Sequence, residues 1–140
     1  MPVHECVCFV LFSDNQVLLE RREITDRFGD VALNIPGGHM EAGEKQRDTL
    51  LREVEEELGV IPISYDFLCD QPFVAQEAQL LHYYAVTEWA GEVLAQETAQ
   101  VEWHSIESQL ALSAADRAAL HAMRKGLNNR SLAKADTLSH

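Results

Sequence analysis

The chain has 140 residues, of which 46% are hydrophobic and 24% are charged, so it is long enough to bury the core of one ordinary globular domain. Its formal net charge of −12 argues against a protein that binds nucleic acid polymers nonspecifically, because such a protein needs a basic face. The first residues show no signal-peptide pattern, and no apolar run approaches the roughly 18 residues of a membrane helix. We therefore expect a cytoplasmic protein with no membrane partner.

The three cysteines, Cys6, Cys8 and Cys69, agree with that location because their number is odd and their spacing matches no disulfide framework. Cys6 and Cys8 stand two apart in an apolar run, so on a strand they would share one face. They could be a thiol pair or half of a metal site. We favour two small buried hydrophobic residues, because no second Cys/His pair has suitable spacing.

The first third of the chain is dominated by β-prone segments. The predicted strands are residues 5–12, 17–21 and 32–35. Ser13-Asp14-Asn15 is a turn signal between the first two strands, and residues 23–30 form a polar loop. Pro36-Gly37-Gly38 should end the third strand.

The clearest helix runs from Lys45 to Leu58, because four apolar residues recur there at helical spacing: Leu50, Leu51, Val54 and Leu58. Gly59 suits the position that ends a helix. Further strands are expected at residues 61–68, 79–87 and 101–104. A last helix follows, capped by Ser113, with Leu120 and Met123 on its buried side.

The order of these elements predicts an α/β domain, with helices packed on a mixed β-sheet. We place that domain at residues 1–127. Residues 128–140 are polar, and we expect them to form a frayed tail.

Three carboxylates of the central helix, Glu53, Glu56 and Glu57, fall within an arc of roughly 100°, away from the apolar stripe. Like charges at this spacing repel by a few tenths of a kcal/mol per pair, and anions near a helix C-terminus are unfavourable. A bound divalent cation would reverse this effect, and oxygen ligands suit Mg²⁺, Mn²⁺ or Ca²⁺. The alternative is a solvated, glutamate-rich helix face.

The segment before the helix, residues 37–44, favours a cation site over a merely solvated, glutamate-rich helix face. Its three glycines allow the backbone to turn sharply and to approach a ligand closely. Glu44 lies just ahead of the helix, where its charge is favourable next to the N-terminal dipole. On its own, Glu44 could simply cap the helix.

Together these residues resemble the Nudix box, whose pattern is Gly, five residues, Glu, seven residues, Arg-Glu, an aliphatic, any residue, Glu-Glu, any residue, Gly and an aliphatic. The chain fills every fixed position, with Gly38, Glu44, Arg52, Glu53, Val54, Glu56, Glu57, Gly59 and Val60. Trp89-Ala90-Gly91-Glu92, followed by Glu97 and Trp103, resembles the C-terminal half of the mutator-type nucleoside triphosphate pyrophosphohydrolases. The resemblance implies an α/β/α sandwich with a mixed sheet.

The resemblance also implies roles for individual residues. The metal ligands would be Glu53, Glu56 and Glu57, with the backbone carbonyl of Gly37. The cofactor would be Mg²⁺, with Mn²⁺ as a substitute. Arg52 would orient these acids and Glu44 would support them. Glu97 would come from a later loop as a ligand or a base, so the general base is either Glu53 or Glu97.

Four residues outside the glutamate set are candidates for substrate binding: Arg21, Arg22, Arg27 and His39. An arginine can grip phosphate through two parallel hydrogen bonds. His39 is a departure from the mutator-type members, which often carry lysine there, and histidine is mostly neutral at pH 7. Each arginine could equally be a solvated surface residue.

The resemblance implies metal-dependent hydrolysis of a diphosphate bond in a nucleotide-type substrate, with a nucleoside triphosphate as the first candidate. An ADP-ribose or nucleotide-sugar pyrophosphatase is the enzymatic alternative. A non-catalytic, nucleotide-sensing Nudix module is a third interpretation, although such modules usually lose box glutamates. An acidic Ca²⁺-binding domain would lack its EF-hand loop here, and a homodimer is left open.

Overall fold

The computed structural model describes residues 3–23, 31–74, 77–94, 100–108 and 112–138, with backbone alone for 22–23, 31–32 and 128–138. The strands are β1 (His4–Ser13), β2 (Gln16–Glu23), β3 (Val31–Asn34), β4 (Gly37–His39), β5 (Ile61–Val74), β6 (Ala78–Ala90) and β7 (Gln100–Ser105). The helices are α1 (Gln46–Leu58) and α2 (Ala114–Leu138).

The sheet is mixed, and β1 is its centre. β1 pairs in parallel with β6 from His4↔Gln79 to Leu11↔Val86, while β6 pairs antiparallel with β5. On its other edge, β1 pairs antiparallel with β4, and at its end it turns into a hairpin with β2. β2 then pairs antiparallel with both β3 and β7.

Alternate residues of β1 enter two separate cores. Cys6 and Cys8 face the core that contains α2, whereas Val7 and Phe9 face the core that contains α1. This alternation is what a strand buried on both faces requires. The two helices therefore lie on opposite faces of the sheet, and the predicted α/β/α sandwich is confirmed.

The apolar stripe of α1 anchors the helix to its face of the sheet. Leu50, Val54 and Leu58 are fully buried, and each contributes about 1.5–3 kcal/mol of hydrophobic stabilisation. Leu51, which the sequence placed in the same stripe, is only partly buried. Gly59 ends the helix with a φ of 72°, a left-handed conformation that glycine adopts without strain.

β3 ends at Asn34, before Pro36, as the sequence predicted. Gly37 and Gly38 then lie in a further short strand, β4, which the sequence did not predict, because pairing with β1 imposes an extended backbone on them. The prediction of a frayed tail from residue 128 is wrong, since the backbone of α2 stays helical to Leu138. The domain boundary at 127 remains a prediction.

The other expected elements are present, with longer strands than the sequence indicated. β5 and β6 have 14 and 13 residues because each extends past its predicted C-terminal end along their shared hairpin. Ser113 caps α2 as expected, since its hydroxyl accepts the N–H of Asp116. Within the described ranges, no helix is both long and apolar enough to cross a membrane.

Candidate active site

The site is built where β4 lies between β1 and the start of α1. Register pairs Val7↔Gly38 and Cys6↔His39 hold β4 against the central strand. A Cβ atom on Gly38 would come within 2.1 Å of the carboxyl carbon of Glu53. The carboxylate of Glu53 therefore lies directly against the backbone of β4, in space that only a glycine leaves open.

Arg52 is the hub of the hydrogen bonds around this carboxylate. Its Nε and Nη2 each donate to one oxygen of Glu44 at 2.8 Å, a bidentate grip. Its Nη1 donates to Glu53 at 2.7 Å and, more weakly, to Glu56 at 3.3 Å. Nη2 also donates to the backbone carbonyl of His39 at 3.0 Å, which ties α1 to β4.

Glu44 fixes Arg52 from the other side. Besides the arginine, it accepts the backbone N–H of Glu41 and the hydroxyl of the buried Thr49. The bonds from Arg52, followed by the N–H of Glu41, lower the pKa of Glu44 to about 2. The same contacts raise the pKa of Arg52 above its usual value, so both groups stay charged at neutral pH.

The donor chemistry of this helix face fits a hard divalent cation. Glu53, Glu56 and Glu57 offer carboxylate oxygens on neighbouring turns, and the Glu53 side chain is only 12% exposed whereas Glu56 is 52% exposed. Across the described part of the chain, however, no three acidic, histidine or cysteine side chains converge closely enough to hold an ion. Glu53 and Glu56 each accept a hydrogen bond from Arg52, and a carboxylate can keep such a bond while it binds a cation, because its two oxygens offer about four lone-pair sites.

A pocket of about 540 Å³ opens on the other side of β4. Gly37, Gly38 and His39 line one wall of it, so β4 separates the pocket from the glutamate helix by a single strand. The rest of the lining is mostly apolar with a few polar groups: Cys6, Cys8, Leu33, Asn34, Ile35, Phe73, Gln79, Leu81, Ser113 and Asp116. This is the character of a small-molecule site.

The floor of the pocket contains a buried hydrogen-bonded network. Asp116 accepts the hydroxyl of Tyr83 at 2.5 Å and the backbone N–H of Ile35 at 3.0 Å. Burial raises the pKa of Asp116, although both hydrogen bonds oppose that shift, and burial likewise raises the pKa of Tyr83. The network joins α2 to β6 and to the residue that follows β3, which keeps the pocket floor rigid.

The structure places the predicted site residues in two groups. Arg52 joins Glu44, Glu53 and Glu56 through hydrogen bonds, and the Glu53 carboxylate lies against Gly38. Glu57 follows Glu56 on the same helix, and Gly37 and His39 lie on the pocket wall. Glu97 and Arg27 lie outside the described residues, and for Arg22 only the backbone is described.

Arg21 is engaged elsewhere, on β2. Its guanidinium forms a bidentate ion pair with Glu102 of β7, and His104 contacts the same carboxylate at 3.0 Å. The bonds from Arg21 lower the pKa of Glu102 to about 2. Substrate binding by Arg21 would therefore require this pair to open.

Sequence reasoning missed the polar groups of the pocket. Asn34 lies in the third strand as predicted, but no local pattern marks its side chain or that of Asp116 as part of a pocket. Asp116 did carry a local signal, because it stands three residues after Ser113 in the pattern of a capping box. Its contacts to Tyr83 and Ile35 join distant parts of the chain and gave no local signal.

In this fold, the glycines of β4 lie against the glutamate-rich helix α1. A comparison with known protein families agrees with this arrangement. Residues 2–123 match the family model described as the NUDIX domain. The chain therefore belongs to the Nudix family and is a hydrolase.

Individual relatives are consistent with this assignment. The chain is 31% identical over 112 residues to a CTP pyrophosphohydrolase of Escherichia coli (strain K12), covering 79% of this chain and 82% of the relative. It is 27% identical over 95 residues to the 8-oxo-dGTP diphosphatase of the same organism, covering 67% and 73% respectively. Its fold is similar to the solution structure of the E. coli ORF135 protein, with a TM-score of 0.77, 27% identity, and coverage of 89% and 91%.

The contact between Gly38 and Glu53 leads to a prediction. Gly38→Ala should lower kcat by about 10²-fold, because the new methyl group would displace the Glu53 carboxylate by an ångström or more. Gly126→Ala is the control, since a Cβ there meets nothing within 4 Å and the helix should gain about 0.5–1 kcal/mol. Steady-state rates and thermal midpoints of both variants test this. Equal rates for Gly38→Ala and the unsubstituted protein would contradict it.

The lowered pKa of Glu44 predicts a pH dependence of stability. An unfolded glutamate titrates near pH 4.3, so the contribution of Glu44 is fully present above that pH and is lost as the pH falls towards about 2. Glu44→Gln should lower the thermal midpoint at pH 7, and the gap to the unsubstituted protein should close between about pH 4.5 and pH 2. A gap of constant size over that range would show that the charge of Glu44 does not stabilise the fold.

Proposed function

We propose that the chain hydrolyses a diphosphate bond of a nucleoside triphosphate in a Mg²⁺-dependent reaction, releasing a monophosphate and pyrophosphate. The observation that carries the proposal is the position of β4. One face of this strand supports the Glu53 carboxylate and the other forms a wall of the 540 Å³ pocket. A nucleoside in the pocket would direct its phosphates past Gly37 and Gly38 towards the glutamates.

The residues of the site supply the parts that this reaction needs. Water attacks one phosphorus, the bridging P–O bond breaks, and the proton of the water passes to a carboxylate, for which Glu53 and Glu97 are the candidates. Mg²⁺, held by Glu53, Glu56, Glu57 and the carbonyl of Gly37, would neutralise the phosphate oxygens and acidify the water. Arg52 orients Glu53 through their 2.7 Å hydrogen bond.

The pocket supports a nucleoside as the recognised group. Leu33, Phe73 and Leu81 provide apolar surface for a base or a sugar, and Asn34 and Asp116 provide polar groups. A few fixed polar groups on an apolar wall give orientation and specificity. His39 lies at the phosphate end of this pocket, where it could donate to a phosphate oxygen.

Two of the relatives support a triphosphate as the first candidate. The CTP pyrophosphohydrolase and the 8-oxo-dGTP diphosphatase are both named for nucleoside triphosphate substrates. An ADP-ribose or nucleotide-sugar pyrophosphatase is the second candidate, and a nucleotide-sensing module without activity is the third. A cytoplasmic location and a homodimer remain predictions.

The test is hydrolysis of a panel that contains the common ribo- and deoxyribonucleoside triphosphates, 8-oxo-dGTP and ADP-ribose. We expect pyrophosphate from one or more triphosphates with Mg²⁺ or Mn²⁺, and no activity in EDTA. Hydrolysis restricted to ADP-ribose would select the second candidate. Full activity in chelator would refute the metal mechanism, and tight nucleotide binding without turnover would indicate the sensing module.

The role of Glu97, which lies outside the described residues, has its own test. Glu97→Gln should lower kcat by roughly 10²-fold or more, the range for losing a general base, with little change in thermal midpoint. Glu92→Gln is the control, because Glu92 is a nearby exposed acid. Glu102, another acid in this part of the chain, is unsuitable as a control because it is paired with Arg21. Undiminished turnover in Glu97→Gln would assign the base to Glu53.

A further inference from the structure

The pocket wall contains a cysteine and a histidine in contact, two side-chain types that can bind metal ions. The proposed hydrolysis does not require this contact. Cys6 and His39 are register partners on β1 and β4, and the Sγ of Cys6 lies 3.3 Å from the Nδ1 of His39. Both line the 540 Å³ pocket. Cys6 is buried in the wall, whereas His39 is exposed at the opening, so an ion from solvent can reach the pair.

A free, reactive thiol is a poor explanation of this pair. Burial, together with the negative charge of Glu53 nearby, raises the pKa of the Cys6 thiol. Reactive cysteines instead have lowered pKa values in electropositive surroundings.

We propose that Cys6 and His39 form a binding site for a thiophilic divalent ion of the zinc type, and that the bound ion inhibits hydrolysis. Zinc binds sulfur at about 2.3 Å and imidazole nitrogen at about 2.0–2.1 Å, so two such ligands at a tetrahedral angle stand roughly 3.5 Å apart. The observed separation of 3.3 Å needs little adjustment. The thiol releases its proton to solvent, and the neutral imidazole binds through the lone pair of Nδ1.

The Cys6–His39 pair should discriminate against Mg²⁺, the ion proposed for the glutamates of α1. Thiolate and imidazole are ligands that zinc prefers, whereas Mg²⁺ prefers the carboxylates of α1. In the described ranges no third ligating side chain converges on this pair, so water would complete the coordination. Two protein ligands give a reversible site, which is appropriate for inhibition and not for structural zinc.

The expected inhibition rests on the proposed function and follows from the position of the pair. His39 directly follows Gly38, whose backbone supports the Glu53 carboxylate. An ion between Cys6 and His39 would occupy the pocket where the substrate has to pass, and its charge would attract Glu53 away from Arg52. Both effects lower the rate without any change in the fold.

The binding test uses cobalt as a spectroscopic probe for zinc and needs no hydrolysis. Titration of the purified protein with Co²⁺ should give a thiolate-to-cobalt charge-transfer absorbance, which carboxylate ligands cannot produce. Cys6→Ser and His39→Gln should abolish the absorbance, and zinc should displace it. Cys69→Ser is the matched control, because Cys69 lies on β5 and does not line the pocket, so its removal should leave the absorbance unchanged.

Several results would overturn the site. These are an absence of the absorbance in the unsubstituted protein with excess cobalt, its survival in His39→Gln, and its loss in Cys69→Ser. Loss in Cys8→Ser with survival in Cys6→Ser would assign the thiol to Cys8 instead. If Cys6→Ser fails to fold, as judged by its thermal midpoint, His39→Gln decides the question because His39 is exposed.

The inhibition test follows hydrolysis at saturating Mg²⁺ while zinc is added. Zinc should inhibit the unsubstituted protein, and about tenfold more zinc or more should be needed for His39→Gln, each measured against its own zinc-free rate. Equal sensitivity of the two proteins would refute the inhibitory role. If no triphosphate is hydrolysed at all, the proposed function fails, but the cobalt absorbance still establishes or refutes the site.

Discussion

Glu53→Gln should lower kcat by about 10²–10⁴-fold, the range expected when a carboxylate that binds the metal or accepts the proton becomes neutral. The effect should be the largest among the helix glutamates because Glu53 is the one whose carboxylate lies against Gly38. The thermal midpoint should change little, since the substitution removes one member of a repelling cluster as well as one bond to Arg52. Steady-state rates measure the fall in kcat, and Mn²⁺ titration shows whether the variant has lost metal binding. Thermal unfolding gives the midpoint.

Three further substitutions on the same helix extend this prediction, and the third of them is its control. Glu56→Gln and Glu57→Gln should lower kcat by about 10²-fold or more and weaken Mn²⁺ binding. Glu55→Gln should leave both unchanged, because Glu55 is exposed and lies outside the box pattern. If Glu55→Gln were as damaging as Glu53→Gln, the losses would reflect the net charge of the helix and not a site.

Arg52→Ala should reduce both activity and stability. The substitution removes five hydrogen bonds and leaves the Glu44 and Glu53 carboxylates facing each other without a cation. We expect kcat to fall by about 10²-fold through misplacement of Glu53, and the thermal midpoint to fall by several degrees. Arg52→Lys should recover part of the stability and less of the activity, because an ammonium cannot grip Glu44 through two bonds.

Arg47→Ala is the matched control for Arg52. Arg47 lies on the same helix but is exposed, so its removal should change neither rate nor midpoint. Calorimetry or dichroism gives the midpoint and a pyrophosphate assay gives the rate. A fully active and equally stable Arg52→Ala protein would mean that the observed hydrogen bonds do not organise the site.

Features that depend on local periodicity could be predicted from the sequence. The range of α1 was correct to within one residue, because its apolar spacing and Gly59 are local signals. The strand β1 was predicted from its continuous apolar run, although its burial on both faces was not. The position of Glu44 and Arg52 in one cluster was implied by the box pattern, and the structure places them in a bidentate contact.

Features that depend on distant pairing could not be predicted in this way. A strand at Gly37–His39 contradicts the preferences of its residues and exists because β1 pairs with it. The pocket network joins Asp116 to Ile35 across 81 positions of the chain. The ion pair of Arg21 with Glu102 spans the same separation, so no sequence window contains both partners.

The parallel pairing of β1 with β6 has a consequence for how the protein folds. The partners of His4 to Leu11 are Gln79 to Val86, about half of the chain later. Contacts between such distant segments slow folding, because the chain must close a long loop before they form. During synthesis, the complete glutamate helix leaves the ribosome while β1 still lacks its partner on one edge. A fragment that ends before Ala78 would contain every residue of the Nudix box and should still be unable to hold Gly38 in place.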